Sequence, residues 1–105
     1  MNEMVDKMAR EAVGEKLKKL EHAAFNCSRV FEDRLKSCRA FEGVDKASEV
    51  ILSYSTSGYL LRSAYEAYWA RNVGAFRVYL NNAWTMFSDA VAQEAAVVAT
   101  IEEYY

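Results

Sequence analysis

The chain has 105 residues, of which 52% are apolar and 27% are charged. This balance is typical of a globular protein and excludes a disordered chain, and the length fits one domain spanning residues 1–105. Because 13 basic and 15 acidic residues nearly cancel, no overall field attracts the chain to nucleic acid or to an anionic membrane. Nucleic acid is therefore not an expected partner.

The N-terminal segment carries charges at Glu3, Asp6 and Lys7, where a secretory signal peptide would need an apolar run. The longest uncharged stretches, residues 50–61 and 78–88, contain 12 and 11 residues, whereas a membrane-spanning helix needs about 20. We therefore expect no membrane contact and a cytoplasmic location.

Proline is absent and glycine occurs four times, whereas sheet-rich domains need more turn residues than that. In the first segment, residues 2–41, apolar residues alternate three and four apart, which predicts one stripe along a helix. The stripe consists of Val13, Leu17, Leu20, Ala24, Cys27, Phe31 and Cys38. Gly14 leaves open whether this helix breaks or continues. Gly43 predicts a left-handed stop, and Asp45 predicts the N-cap of the next helix.

The two cysteines, Cys27 and Cys38, lie 11 residues apart, so on one helix they share a face at a separation of roughly 16 Å. That separation is too large for a disulfide within the helix. Their spacing, without histidine partners nearby, is also unlike that of a structural zinc site. We expect buried free thiols, with no metal and no cofactor.

The second segment, residues 45–71, has eight consecutive apolar positions at helical spacing. The stripe consists of Val44, Ala47, Ile51, Tyr54, Gly58, Leu61, Tyr65 and Tyr68. A β-hairpin is the alternative, because residues 50–54 and 59–63 are strand-like in composition and are separated by a loop of hairpin length. The longer periodicity favours a helix.

A break at residues 72–74 precedes the third segment, which again has an apolar stripe at helical spacing. The stripe consists of Phe76, Leu80, Ala83, Phe87, Val91, Val98, Ile101 and Tyr105. Short connections between helices of matched length force antiparallel neighbours. We therefore predict an all-α fold, an up-down-up bundle of three long antiparallel helices with an N-terminal helical extension.

The apolar residues of the third helix cover about half of its circumference, which is more than a helix packed on one side needs. Between Val78 and Ile101 the only charged residues are Asp89 and Glu94. An excess of apolar surface usually marks an interface. We therefore expect a homo-oligomer, most simply a two-fold dimer.

Catalytic constellations are scarce, because His22 is the only histidine in the sequence. The tyrosines and tryptophans of the middle segment lack the basic groove that single-stranded nucleic acid requires, and they are interpreted as core. We expect no enzymatic activity.

One polar cluster is predicted inside the bundle. Glu94 lies in the middle of the apolar arc of the third helix, and Arg34 lies within the apolar arc of the first. Helix counting puts both at one level, close to Tyr54 on the second helix. Because isolated buried charges are rarely tolerated, we predict a buried pair with the Tyr54 hydroxyl as a third member. This cluster is the single candidate binding site.

These features favour a non-enzymatic protein-interaction module: a homo-oligomeric helical bundle that acts as an adaptor, a scaffold or a small subunit of a larger assembly, with an unknown protein partner. The alternative is a small nucleic-acid-binding or regulatory protein that uses a basic first helix in a dimer. The first 46 residues contain 10 basic and 9 acidic side chains, whereas the remainder contains 3 and 6.

Overall fold

The structure, a computed structural model, describes residues 2–36 and 47–104. Within these ranges the chain forms three α-helices: α1 (Asn2–Lys36), α2 (Ala47–Trp69) and α3 (Val73–Tyr104). The central helix α2 packs against both α1 and α3, whereas the two outer helices approach each other far less. The predicted all-α bundle of three helices is confirmed.

Helix α1 continues through Gly14 without a break. Gly14 is buried, and a Cβ atom at this position would lie 3.1 Å from Trp69 Nε1. The glycine therefore allows the C-terminal end of α2 to pack closely against α1. Residues before Arg10 extend past this contact, and the side chains of Met4 and Met8 are exposed. These first turns form the predicted N-terminal extension as part of one helix.

Small side chains on α2 allow close packing against its two neighbours. Ser53, Ser57, Gly58 and Ala64 are all buried. A Cβ atom at Gly58 would lie 2.8 Å from the Phe25 ring of α1, which is too close for any residue larger than glycine without a shift. Residues 47–69 are helical throughout, so the hairpin alternative is wrong.

The connection between α2 and α3 has three residues, 70–72, as many as the sequence predicts, but it lies two residues earlier in the chain. The amides of Arg71 and Asn72 donate to the carbonyls of Tyr68 and Ala67 at 3.1 and 2.9 Å, which is the hydrogen-bond pattern of a Schellman motif. Asn72 Oδ1 then accepts a hydrogen bond from the Ala75 amide at 3.1 Å, so Asn72 is the N-cap of α3. The predicted break at residues 72–74 is therefore corrected, because Gly74 belongs to the first turn of α3.

The core has two parts along the bundle. One contains Phe31 and Leu35 of α1 together with Val50 and Tyr54 of α2 and Ala90 and Val97 of α3. The other contains Leu17, Ala24, Leu61 and Ala83. Helix α3 is rotated relative to its predicted stripe: Ala90 and Val97 are buried, whereas Val91 is 48% exposed.

Some predictions fall on residues outside the described ranges. These are the stop at Gly43, the cap at Asp45 and the burial of Cys38. Cys27 is a free thiol and is partly buried. Within residues 2–36 and 47–104, none of the helices combines the length and the apolar character that a bilayer crossing requires.

Candidate functional site

The structure brings the three residues of the predicted polar cluster together. The Tyr54 hydroxyl donates a short hydrogen bond to Glu94 Oε2. Arg34 Nη1 lies 3.8 Å from the other carboxylate oxygen, Glu94 Oε1. One residue from each helix therefore contributes to the cluster, and Glu94 is its centre.

The cluster is less deeply buried than the sequence predicts. The side chain of Glu94 is 25% exposed and that of Arg34 is 61% exposed, whereas Tyr54 is fully buried. The interpretation of Arg34 and Glu94 as a buried ion pair is therefore wrong. The guanidinium group reaches the carboxylate from the solvent side, because the long arginine side chain extends from the edge of α1 and keeps its charge in water.

The carboxylate of Glu94 influences two neighbouring groups. Burial raises the pKa of Tyr54, and the hydrogen bond to Glu94 raises it further, because ionised Glu94 is a better partner for the neutral phenol. Burial followed by the charge of Glu94 also raises the pKa of the Cys27 thiol. Both groups are held in their neutral forms, so neither is prepared to act as a base or nucleophile.

The cluster is suited to fixing the alignment of the helices. The Tyr54 ring packs edge-on against Phe87, with 5.3 Å between the ring centroids, and the nearby Ser53 hydroxyl contacts Gln93 Oε1 at 3.4 Å. His22 is exposed on α1, far along the helix from Arg34. In the described part of the chain no three His, Cys, Asp or Glu residues form a group that could hold a metal ion.

A second feature, an apolar groove between α1 and α3, is a better candidate for binding. The groove has a volume of about 450 Å³, within the range of small ligand-binding pockets. Seven of its eight lining residues are apolar, and the lining consists of Leu20, Ala23, Leu61, Leu80, Asn81, Ala83, Trp84 and Phe87. Leu61 of α2 forms the floor because the outer helices stand apart here.

Large apolar side chains remain in solvent along the α3 wall of this groove. The indole of Trp84 is 74% exposed, and Leu20 on the opposite wall is half exposed. The seam continues toward the polar cluster through a shallower depression that is lined by Val91 and Ala95 together with Arg34 and Glu94. The excess apolar surface of α3 was predicted from the sequence, whereas the position of Leu20 opposite it on α1 was not.

No model of a known protein family matches this chain, and no curated protein or solved structure matches it either. The fold places the chain in the class of all-α, three-helix proteins. Its own surfaces are the basis for inferring a function.

Proposed function

We propose that this chain is a non-enzymatic protein-interaction module, an adaptor, a scaffold or a small subunit, that works as a homodimer formed through the groove between α1 and α3. The observation that supports the proposal is the apolar lining of this groove, with Trp84 exposed at its rim. An indole left in water loses the stabilisation that burial would provide, and tryptophan is among the residues that dominate interface energies.

The exposed surface of the chain is large enough for a second copy to pack against it. The chain exposes 7473 Å², whereas a globular monomer of 12.0 kDa exposes about 6,000 Å². The excess, about 1,500 Å², exceeds the roughly 800 Å² that each partner contributes to a standard interface. The radius of gyration is 17.0 Å, compared with about 13 Å for a compact domain of this length, and the extents of 62 × 22 × 15 Å show that the excess surface comes from an elongated shape.

Charge favours a second copy as the occupant. From residue 78 to residue 101 α3 carries only Asp89 and Glu94, and Glu94 is already engaged with Tyr54 and Arg34. In a two-fold interface each residue type meets a surface of the same composition, so a charged face would repel itself. The apolar face of α3 brings few like charges together, and Trp84 of one copy can enter the groove of the other.

The test is the mass in solution of the wild type and of two matched variants, measured by light scattering at micromolar concentration. We expect twice the chain mass of 12.0 kDa for the wild type and the monomer mass for Trp84→Glu, because a carboxylate would have to be buried in the groove. The control is Leu52→Glu, since Leu52 is exposed on α2 away from the groove. A monomeric wild type, or a Trp84→Glu protein that remains dimeric, would contradict the proposal.

A further inference from the structure

A cavity lined by three arginines lies at the end of the molecule where α2 turns into α3. Its volume is about 430 Å³, and its walls include Arg10 of α1, Arg71 of the turn and Arg77 of α3, together with the rings of Tyr68 and Phe76. The described residues that line it include no acidic side chain. The cavity therefore combines positive charge with aromatic surface.

The arginines are concentrated here although the chain as a whole is acidic. The net charge is −2, and residues 63–105 contain only two basic residues, Arg71 and Arg77. Both line this cavity. Arg10 joins them from the opposite end of the sequence, because α1 runs alongside the C-terminal end of α2.

Arg10 is held firmly in place as one wall. Its Nη2 atom donates to the carbonyls of Tyr68 and Trp69, each at 3.1 Å. Its guanidinium carbon lies 5.5 Å from the centre of the Tyr68 ring and 5.2 Å from that of Trp69, so it also makes cation–π contacts. A guanidinium fixed in this way is preorganised for a ligand.

Arg71 and Arg77, by contrast, are exposed, and within the described residues neither side chain forms a hydrogen bond or an ion pair. The N-terminal end of a helix is partially positive, and α3 has no acidic residue in its first turn to offset that charge. This end of α3 adds to the positive character of the cavity, whereas the partially negative C-terminal end of α2 is already engaged by Arg10, which donates to the carbonyls of Tyr68 and Trp69.

The backbone of Arg71 adopts a conformation that is unfavourable for arginine. Arg71 has a φ of 60°, in the left-handed region where glycine is the usual residue after a helix. A residue with a side chain is less stable there. An arginine therefore occupies a position where glycine would be more stable, and a bound anion would give its charge a partner.

We propose that this cavity is a binding site for a small phosphate-bearing anion, held by Arg71 and Arg77 against the fixed Arg10. A phosphate group carries more than one negative charge and offers several oxygens, which suit the forked donors of several guanidinium groups. The rings of Tyr68 and Phe76 lie beside the arginines and provide an apolar wall for an organic group that is attached to the phosphate. The site is separate from the groove between α1 and α3 and does not depend on dimer formation.

The test measures the thermal midpoint and the calorimetric affinity with inorganic pyrophosphate as the probe, against sodium chloride at equal ionic strength. We expect pyrophosphate to raise the midpoint of the wild type, since a ligand that binds only the folded state stabilises it. Each of the variants Arg71→Gly and Arg77→Gln should weaken binding about tenfold, and the double variant should lose the shift. Without ligand, Arg71→Gly should melt higher than the wild type, because glycine suits the left-handed conformation.

The control variant, Arg29→Gln with Lys36→Gln, also removes two positive charges, but from α1 at sites roughly 28 and 39 Å along the helix from Arg10. It should bind pyrophosphate as the wild type does. Phenyl phosphate compared with inorganic phosphate then separates the two sources of the anion: tighter binding of the ester indicates an organic phosphate, and equal binding indicates a free one. No shift in the wild type, or an equal loss in the control, would overturn the proposal.

Discussion

The seam between α1 and α3 is closed at one level and open at another, although the same two helices form both. Near Arg34 and Glu94 the helices are bridged by a polar contact, and the large side chains of Phe31, Val50 and Tyr54 are fully buried beneath it. Near Leu20 and Trp84 no such bridge exists, and the seam widens into the apolar groove.

This difference shows how a three-helix protein can be tightly packed at one level and leave an apolar surface exposed at another. A helix is stabilised mainly by the packing of its apolar face, and α2 provides that packing for both outer helices along their length. At the closed level Tyr54 fills the space between α1 and α3 and is hydrogen-bonded to Glu94. At the open level the floor is the shorter Leu61, which leaves room for a side chain from another molecule.

The largest difference between the two levels should be in stability. Phe31→Ala removes a fully buried ring at the closed level and should lower the free energy of unfolding by about 3–5 kcal/mol. Leu20→Ala at the open level should lower it by less than about 1 kcal/mol, since half of that side chain is already in water. Urea denaturation in a Trp84→Glu background, which separates folding from association, measures both values. Similar losses at the two sites would show that the levels do not differ.

An intermediate effect is expected from the bridge itself. Glu94→Ala should lower the free energy of unfolding by about 2 kcal/mol, because the buried Tyr54 hydroxyl loses a charged acceptor. Arg34→Ala should cost less than about 1 kcal/mol, as is typical of a partner that stays exposed. A double-mutant cycle of Glu94→Ala with Tyr54→Phe should be strongly non-additive. Additive losses would mean that Tyr54 and Glu94 do not interact.

The smallest effect is a dependence on alkaline pH that belongs to the closed level alone. Since the pKa of Tyr54 is raised in the folded state above the usual 10.0, its contribution to stability is complete below pH 10 and declines as the pH rises above that value. Half a pH unit above pH 10, the free energy of unfolding should be lower by about 1 kcal/mol. Urea unfolding of the wild type and of Tyr54→Phe at pH 8 and above pH 10 measures the difference. Equal pH dependence in the two proteins would exclude Tyr54 as the source.

Much of the fold follows from local pattern. Eight stripe positions with a helical period predict α2 against the hairpin alternative, and they do so because a helix repeats every 3.6 residues whatever surrounds it. The level of Arg34, Tyr54 and Glu94 was predicted by counting along helices of known rise. How deeply these side chains are buried could not be predicted, because it depends on how far an arginine at the edge of α1 can extend toward water.

The rotation of α3 could not be predicted for a related reason. When apolar residues cover half of a helix, several orientations bury similar areas, so the periodicity does not distinguish Ala90 and Val97 from Val91 as core. The choice depends on shape: α3 presents its small residues, Ala83 and Ala90, to the bundle, which leaves the bulky Trp84 on the rim of the groove.

The helical character of the chain, the approximate ends of α2 and α3 and the large apolar surface of α3 can all be predicted from the sequence, because these properties depend on neighbours within a few turns. The place where the groove opens and the position of Arg10 beside Arg71 and Arg77 follow from the packing of the three helices. Those features join residues far apart in the chain, and they depend on close contacts such as that of Gly58 with Phe25. The shapes of the facing side chains determine such contacts, and the period of a stripe carries no information about them.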